Sequence, residues 1–361
     1  MQISNSNCDG SAAPPGGYHE RVQTAPSCGN PVSKTAVSSR WYFLAHLSML
    51  RRCFGMAMKY IDIGANLTDP MFQGCYGGTQ KHEPDLHIVL ERAWQQGLQK
   101  IIVTAGCLKD VDEALELAFK DERIYTTVGT HPTRCEEFVS DPEGYYDQLR
   151  SRIKANRTKV LAVGECGLDY DRLQFCGRET QRLYFEKQLE LAAEFKLPLF
   201  LHMRNAAEDF MSILERNRDK IEECGGGVVH SFTGTLEEAQ RILAFGGLYI
   251  GLNGCSLKTE ENAEVVRKLP NDRIMLETDC PWCGIRPSHA GHKHVTTKFP
   301  TVKKKEKWTA ESLIDGRCEP CQISQVLESI AGIKQEPKEE LAALYYQNTL
   351  DLFFGTAESK E

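Results

Sequence analysis

Eight short runs rich in β-branched residues alternate with longer segments of helical period, and this alternation constrains the fold more than any other feature of the chain. The helical period is clearest over residues 83–97, 180–195 and 235–245. Strands and helices that alternate in this way form parallel sheets joined by crossover helices. Eight repeats predict an α/β fold of the closed (β/α)8 TIM-barrel type, and an open doubly wound sheet is the alternative on counting alone. The eight runs are YIDIG, KIIVTAG, IYTTVGTH, KVLAVGE, LPLFLH, GGVVHSF, LYIGLNG and RIMLETD.

Several of these runs end in an ionisable residue. Parallel strands buried on both faces should be hydrophobic throughout, so polar residues at their C-terminal ends indicate a special role. That edge is where TIM-barrel enzymes assemble their active sites. We therefore expect these side chains to meet at one face of the barrel. They are Glu165 after LAVG, His202 after LFL, His230 after GVV, Asp279 after LET and His131 after VGT.

Carboxylates and imidazoles at one site predict a centre for divalent cations. Their oxygen and nitrogen atoms suit Mg²⁺, Mn²⁺ or Zn²⁺, and a carboxylate can bridge two ions about 3.5–4 Å apart. A single histidine at a strand end is more often a structural residue than a ligand. Five such residues in register favour function, and the chemistry they predict is metal-assisted hydrolysis.

The motifs around these residues resemble the TatD metal-dependent deoxyribonucleases. The resemblance runs from about residue 59 to 354 and follows the family's order and spacing. It implies a TIM barrel of the metal-dependent hydrolase type. It also implies hydrolysis of DNA phosphodiester bonds, usually as a 3′-5′ exonuclease, with roles in DNA repair or DNA degradation. The motifs are DIGANLTDPMF, TVGTHPTRCEEF, VGECGLDYDRLQF, LPLFLHMRNA, VVHSFTGT, YIGLNGCSLKT and LETDCPWC.

The resemblance also assigns roles to individual residues. It implies that Glu165 contacts both of two divalent cations and that His202 and His230 are imidazole ligands. It implies that Asp279 is a ligand and, with Glu165, a catalytic residue, since a nearby carboxylate can accept the proton of the attacking water. DNA is the implied partner, with no organic cofactor, and nothing in the sequence specifies an oligomeric state.

The first strand departs from related metal hydrolases, many of which carry His-x-His there. The aligned positions in this chain are Gly64 and Asn66, so no imidazole is offered. We therefore expect the second ion to bind more weakly, with Asp62, Asn66 and His131 as its ligands or supporting residues; Asp62 and Asn66 could hold it through their oxygens or through water. The alternative is that Asp62 and Asn66 only form hydrogen bonds in a turn.

A basic segment follows the last strand. The formal net charge of −7 confines any nucleic-acid contact to a local patch, and residues 286–308 carry seven lysines and arginines against a single acid. We expect this segment to bind the phosphate backbone of DNA through Lys303, Lys304 and Lys305, with Arg204 as a further phosphate ligand. A solvated charged loop or a nuclear-localisation patch is the alternative.

The 14 cysteines are irregularly spaced, which favours reduced thiols in an intracellular compartment over a disulfide framework. Cys280-x-x-Cys283 and Cys318-x-x-Cys321 could together hold a structural zinc ion, as an alternative to packed thiols. Their separation is longer than in common zinc fingers, so packed thiols are the favoured interpretation.

The chain divides into three parts. Residues 1–57 form a predicted disordered or non-homologous extension, because residues 1–40 are rich in Ser, Gly, Pro and Asn and carry few large apolar residues. Residues 58–355 form the predicted barrel domain, with a long loop at about 280–320, and residues 356–361 form a tail. The family resemblance implies a location in the nucleus or cytosol, and mitochondrial targeting by the extension is the minor alternative. No apolar run is long enough to span a membrane.

Two rival functions share parts of this pattern. One is a metal-dependent hydrolase of a small ester or amide on the same barrel, which the basic segment disfavours. The other is a non-catalytic nucleic-acid-binding module in which the strand-end residues are vestigial. Substitution of Glu165 by Gln separates the two enzyme functions from the binding module. An enzyme would lose turnover with its fold intact, whereas a binding module would show no functional change.

Overall fold

The computed structural model describes residues 58–355 of the 361-residue chain. The extension and the tail, residues 1–57 and 356–361, lie outside the described residues, so the predicted disorder of the extension stays a prediction. Within the described range, no helix has both the length and the apolar character that crossing a membrane demands.

Eight parallel strands form one sheet whose spatial order follows the sequence. The first and last strands meet at their C-terminal ends, where the Asp279 amide donates to the Gly64 carbonyl and the Asn66 amide donates to the Cys280 carbonyl, each at 2.8 Å. These hydrogen bonds close the sheet and confirm the predicted TIM barrel. The strands are β1 (Tyr60–Ala65), β2 (Leu98–Val103), β3 (Ile124–Val128), β4 (Val160–Asp169), β5 (Leu199–Arg204), β6 (Gly227–Val229), β7 (Leu248–Leu252) and β8 (Ile274–Leu276).

Helices connect the strands and cover the outside of the barrel. The first begins only after Asp85, later than predicted, because Pro84 disfavours a helical conformation at the residue before it. It ends before Gly97, whose φ of 104° a helix does not allow. In the described residues the helices are α1 (Leu86–Gln95), α2 (Leu108–Lys120), α3 (Pro142–Ala155), α4 (Arg178–Phe195), α5 (Ala207–Arg216), α6 (Arg218–Glu223), α7 (Leu236–Phe245), α8 (Glu260–Lys268), α9 (Ile323–Lys334) and α10 (Lys338–Phe353).

The barrel interior is filled by apolar side chains, so it is a packed core and not a pore. Ile63, Phe200 and Met275 are fully buried there. Phe353, at the end of α10, joins the same cluster. The Asn348 side chain of α10 donates to the Ile274 carbonyl at 2.8 Å, at the N-terminal end of β8. One end of the barrel is therefore covered by α10, and the strand C-termini at the other end remain for a site.

The long segment after β8 is held against the connection between β1 and α1 by buried charges. The Arg317 guanidinium bonds both Asp85 oxygens, at 2.8 and 2.5 Å, and one Glu319 oxygen at 2.8 Å. All three side chains are fully buried. Arg92 of α1 approaches the same Glu319 carboxylate at 2.7 Å. The segment is thus fixed at the C-terminal end of β1.

Candidate active site

Glu165 stands at an irregularity in β4 that directs its side chain toward the barrel mouth. The pairing of β4 with β5 shifts register between Gly164 and Cys166, which leaves Glu165 as the extra residue of a bulge. Gly164 has a φ of 150°, and a Cβ there would lie 2.2 Å from the Phe200 carbonyl oxygen. Only glycine fits this position, so the VGE sequence itself determines where the carboxylate stands.

Three histidines from three other strands surround this carboxylate. Glu165 Oε1 lies 2.7 Å from His202 Nδ1 and 2.7 Å from His230 Nε2. His131 Nε2 approaches the same oxygen at 3.5 Å. His131, Glu165 and His202 each offer a ligand atom, and these atoms lie within 4.8 Å of one another. The structure therefore brings together four of the five strand-end residues predicted from the sequence.

Two further carboxylates lie behind the histidines, and the sequence interpretation missed both. Asp169 Oδ2 is 3.3 Å from His202 Nε2, and Glu277 Oε2 is 3.4 Å from His230 Nδ1. Both acids are buried. Glu277 stands two residues before Asp279 in the LETD motif, and Asp169 closes GECGLD, so a search for further acids in the same motifs could have found them.

Glu277 is fixed by neutral donors as well. Its Oε1 accepts hydrogen bonds from the Ser231 amide at 2.5 Å and from the Asn253 side chain at 3.1 Å. Asn253 also donates to the Ser231 hydroxyl at 2.9 Å. Carboxylates that orient ligand imidazoles are typical of metal centres, because they fix the ring and raise its basicity.

The buried charges shift the ionisation of the whole cluster. Burial acts to raise the pKa of Glu165, but His230, His131 and His202 together lower it well below its usual range. Burial acts to lower the pKa values of His202 and His230, but Asp169 and Glu165 raise the pKa of His202, and Glu165 and Glu277 raise the pKa of His230. Burial lowers the pKa of His131 to about 3. These contacts thus favour the ionised form of Glu165 and the protonated forms of His202 and His230, whereas burial favours the neutral form of His131.

Asp279 lies beside this cluster and has hydrogen-bond partners of its own. Its Oδ1 accepts from the Asn66 side chain at 2.9 Å, and its Oδ2 lies 3.4 Å from the Ser231 hydroxyl and 3.2 Å from the Cys283 thiol. Burial raises its pKa to about 6. Asn66 thus orients a predicted catalytic carboxylate.

Asp62 makes its polar contacts within the barrel wall. It accepts from the Thr278 amide at 3.0 Å, from the Thr278 hydroxyl at 2.5 Å and from the Gly64 amide at 3.2 Å. The residue is fully buried, and burial raises its pKa to about 7. These contacts join β1 to the end of β8.

The donor atoms of the cluster fit a divalent cation. His202 Nε2, His230 Nδ1 and Glu277 Oε2 are buried, and although atoms of opposite charge lie 3.3 to 3.4 Å away, none of the three makes a well-aligned hydrogen bond within the described residues. Buried polar atoms are normally satisfied, and imidazole nitrogens with carboxylate oxygens are the ligands that Zn²⁺, Mn²⁺ and Mg²⁺ accept. The two Cys-x-x-Cys pairs do not come together as such a group in residues 58–355. Their four thiols are buried.

The predicted phosphate ligands occupy different positions. Arg204 ends β5, two residues after His202, and its buried Nε has no hydrogen-bond partner among the described residues. Lys303 and Lys304 are exposed, and the Lys305 ammonium lies 4.3 Å from the centroid of the Tyr76 ring. Tyr76 belongs to the connection that follows β1, so the basic segment packs onto the C-terminal side of the barrel.

Comparison with known proteins gives a consistent result. The family model described as TatD related DNase matches residues 61–354. The deoxyribonuclease Tat-D of Schizosaccharomyces pombe is 43% identical over 312 residues, which are 85% of this chain and 99% of that protein. The 3′-5′ ssDNA/RNA exonuclease TatD of Enterobacter lignolyticus is 37% identical over 224 residues, which are 61% of this chain and 78% of that protein.

Solved structures show the same fold. The hydrolase TatD family protein of Entamoeba histolytica superimposes with a TM-score of 0.79 at 38% identity. The match covers 83% of this chain and all of that structure. The two proteins are therefore similar both in fold and in amino-acid sequence.

Proposed function

Because the chain belongs to the TatD-related DNase family, we propose that it is a divalent-metal-dependent deoxyribonuclease that acts as a 3′-5′ exonuclease. The observation that carries the proposal is the Glu165 carboxylate, which three histidines approach at the C-terminal end of the barrel. The similarity to the 3′-5′ ssDNA/RNA exonuclease of Enterobacter lignolyticus supports this direction of cleavage and a single-stranded substrate. Such an activity would serve DNA repair or DNA degradation in the nucleus or cytosol.

We assign Glu165, His202, His230 and Asp279 as the metal ligands, and His131 as a candidate for the same site. When bound, divalent cations neutralise phosphate charge and lower the pKa of water, so that it becomes a nucleophile near neutral pH. The low pKa of Glu165 keeps its carboxylate ionised and ready to bind. The weaker second ion predicted from the missing His-x-His motif belongs to the same proposal.

Asp279 is the proposed proton acceptor. Burial raises its pKa to about 6, close to neutral pH, which is the range in which a general base is most effective. Asn66 holds its Oδ1 at 2.9 Å, so one oxygen is oriented by a neutral donor. Asp62, whose contacts lie in the barrel wall, supports the closure of β1 onto β8 in this proposal.

We propose that Arg204 and the lysines at 303–305 bind substrate phosphates. Arg204 stands two residues after the proposed ligand His202, and its buried Nε has no hydrogen-bond partner among the described residues. Its planar guanidinium can donate two parallel hydrogen bonds to a phosphate. The lysines lie further out, where they would contact the DNA backbone without reading its sequence.

A single cleavage assay tests the proposal. Protein stripped of metal is titrated with Mg²⁺, Mn²⁺ or Zn²⁺ on a 3′-labelled single-stranded oligonucleotide, beside the variants Glu165→Gln and Asp279→Asn. Asp112→Asn, an exposed acid on α2, is the matched control. We expect metal-dependent release of labelled nucleotide by the wild type and the control, and its loss in both site variants with the fold intact.

Absence of nucleotide release would favour the second candidate function, a metal-dependent hydrolase of a small ester or amide. If folded wild-type protein released no nucleotide with any of the three metals, the nuclease proposal would fail. Cleavage of small esters that Glu165→Gln abolishes would then support a metal-dependent hydrolase of another substrate class.

A further inference from the structure

Two cysteines lie directly beside Asp279. Cys255 begins the short turn Cys255–Leu257 that follows β7, and Cys283 lies in the segment that follows β8. Their sulfur atoms are 2.7 Å apart, and the Cys283 thiol donates to Asp279 Oδ2 at 3.2 Å. A hydrogen-bonded chain therefore runs from Cys255 through Cys283 to a proposed catalytic carboxylate.

The backbone holds the two cysteines together. A Cβ on Gly254 would lie 2.0 Å from the Cys283 carbonyl oxygen, so the two loops approach as closely as they do only because residue 254 is glycine. The Cys255 amide donates to the Asn253 side chain at 2.8 Å, which fixes the turn. Asn253 is itself bound to Glu277 within the site.

This pair differs from the other thiols of the barrel. Of the eleven cysteines within residues 58–355, only Cys255 and Cys283 have sulfurs in contact with each other. Cys255 is half-buried, whereas Cys283 is buried. Oxidation-sensitive cysteines are typically accessible and stand next to a second thiol that can resolve the first oxidation product. Cys255 meets the first condition, and Cys283 meets the second.

We propose that Cys255 and Cys283 form a reversible oxidation site whose disulfide lowers the activity of the adjacent nuclease centre. The Cys255 sulfur attacks a hydroperoxide and the O–O bond breaks, which leaves a sulfenic acid on Cys255 and releases an alcohol (water in the case of hydrogen peroxide). The Cys283 thiol then attacks that sulfur and displaces water. Overall, two thiols and one hydroperoxide give one disulfide, one alcohol or water, and one further water.

The disulfide acts on the site through Asp279. Its bond length of about 2.05 Å is shorter than the present sulfur separation, so the side chains need only a small adjustment. Cys283 then has no proton to donate, and Asp279 Oδ2 loses its thiol partner. Loss of a partner that orients a ligand carboxylate typically costs about 10- to 100-fold in metal affinity or activity. This effect on the centre rests on the proposed function, whereas formation of the disulfide does not.

The test treats the folded full-length protein with hydrogen peroxide and blocks the remaining thiols with N-ethylmaleimide. Tryptic digestion then gives the peptides 242–258 and 274–293, which we expect to be joined by a disulfide. Mn²⁺ affinity of the metal-free protein is measured by calorimetry, and turnover is measured with the labelled oligonucleotide. We expect both to fall about 10-fold or more and to recover with dithiothreitol.

Three variants make the result specific. Cys255→Ser keeps a hydroxyl donor to Cys283 and should retain both Mn²⁺ affinity and turnover under peroxide. Cys283→Ser should abolish the joined peptide, which excludes Cys280 of the same peptide as the partner. Cys75→Ser, a half-buried thiol distant in sequence from the pair, is the matched control and should respond to peroxide like the wild type.

The outcomes separate the two proposals. The inference fails if no joined peptide forms, if the joined peptide persists in Cys283→Ser, or if the disulfide forms and Mn²⁺ affinity stays unchanged. Absence of DNA cleavage by the reduced protein would instead count against the nuclease function. The peptide and calorimetric measurements would still decide whether the dithiol acts on the metal centre.

Discussion

Substitutions in the buried ion network around Arg317 should lower the free energy of unfolding more than substitutions in exposed ion pairs. Replacement of Arg317 by Met keeps much of the side-chain volume but leaves Asp85 with no positive partner, whereas Glu319 retains Arg92. Burial acts to lower the pKa of Arg317, but Asp85 and Glu319 raise it, so the guanidinium is charged. The variant therefore leaves the negative charge of a buried carboxylate uncompensated.

The expected magnitude follows from burial. Both Arg317 and Asp85 have fully buried side chains, and removal of one partner from a buried pair costs about 3–5 kcal/mol in the free energy of unfolding. The chain offers a more exposed counterpart that is also bidentate. Arg152 binds both Asp112 oxygens at 2.7 and 2.8 Å, but these side chains are 22% and 55% exposed. Loss of that pair should cost about 0.2–1 kcal/mol.

Urea denaturation measures the difference. Arg317→Met should lower the free energy of unfolding by several times as much as Arg152→Met, with the dependence on urea unchanged. The double variant Arg317→Met with Asp85→Leu should recover most of the loss, because no buried charge is then left without a partner. Equal losses in the two single variants would refute the argument from burial, as would a double variant no more stable than Arg317→Met.

Three further predictions concern the site and its surroundings. Neutralising the lysines at 303–305 should weaken DNA binding at low salt and flatten its dependence on salt concentration, measured by fluorescence anisotropy; an unchanged slope would exclude a phosphate role. Because the pKa values of His202 and His230 are raised, both imidazoles hold protons at pH values above the usual histidine pKa of about 6.5. The Mn²⁺ affinity measured by calorimetry should therefore increase with pH, and binding should release protons. An affinity that does not depend on pH would contradict this. Gly254→Ala should lower the free energy of unfolding by about 1–3 kcal/mol in urea, because its Cβ would collide with a carbonyl oxygen, whereas Gly284→Ala, whose Cβ would meet nothing closer than 3.6 Å, should change it by less than about 0.5 kcal/mol.

The barrel was predictable from the sequence because its signal is repeated and local. Each strand is a short apolar run, and all eight runs coincide with strands in the structure. Strand-end positions are equally local, so Glu165, His202 and His230 could be expected to converge once the barrel was assumed. The relation between these residues comes from the shared edge of a parallel sheet and requires no knowledge of side-chain conformation.

Contacts between distant segments were not predictable in this way. Apart from their place in the motifs, nothing in the sequence marks Asp169 and Glu277 as site residues, because their importance lies in which histidine each approaches. The network of Arg317 with Asp85 joins residues 232 positions apart, and no periodicity relates them. The Cys-x-x-Cys spacing was also a weak guide, since Cys283 pairs with Cys255, which belongs to neither motif.

Closure of β1 onto β8 has a consequence for how the chain is made. Asn66 and Asp279, which bond each other across this seam, are 213 positions apart in the sequence. During synthesis β1 emerges early and keeps one unpaired edge until the ribosome has added β8, and such edges promote aggregation. Contacts of this range form slowly. The acid at the seam is also the last of the proposed ligands to be translated, so a nascent chain stalled before β8 would expose an open sheet and lack a complete centre.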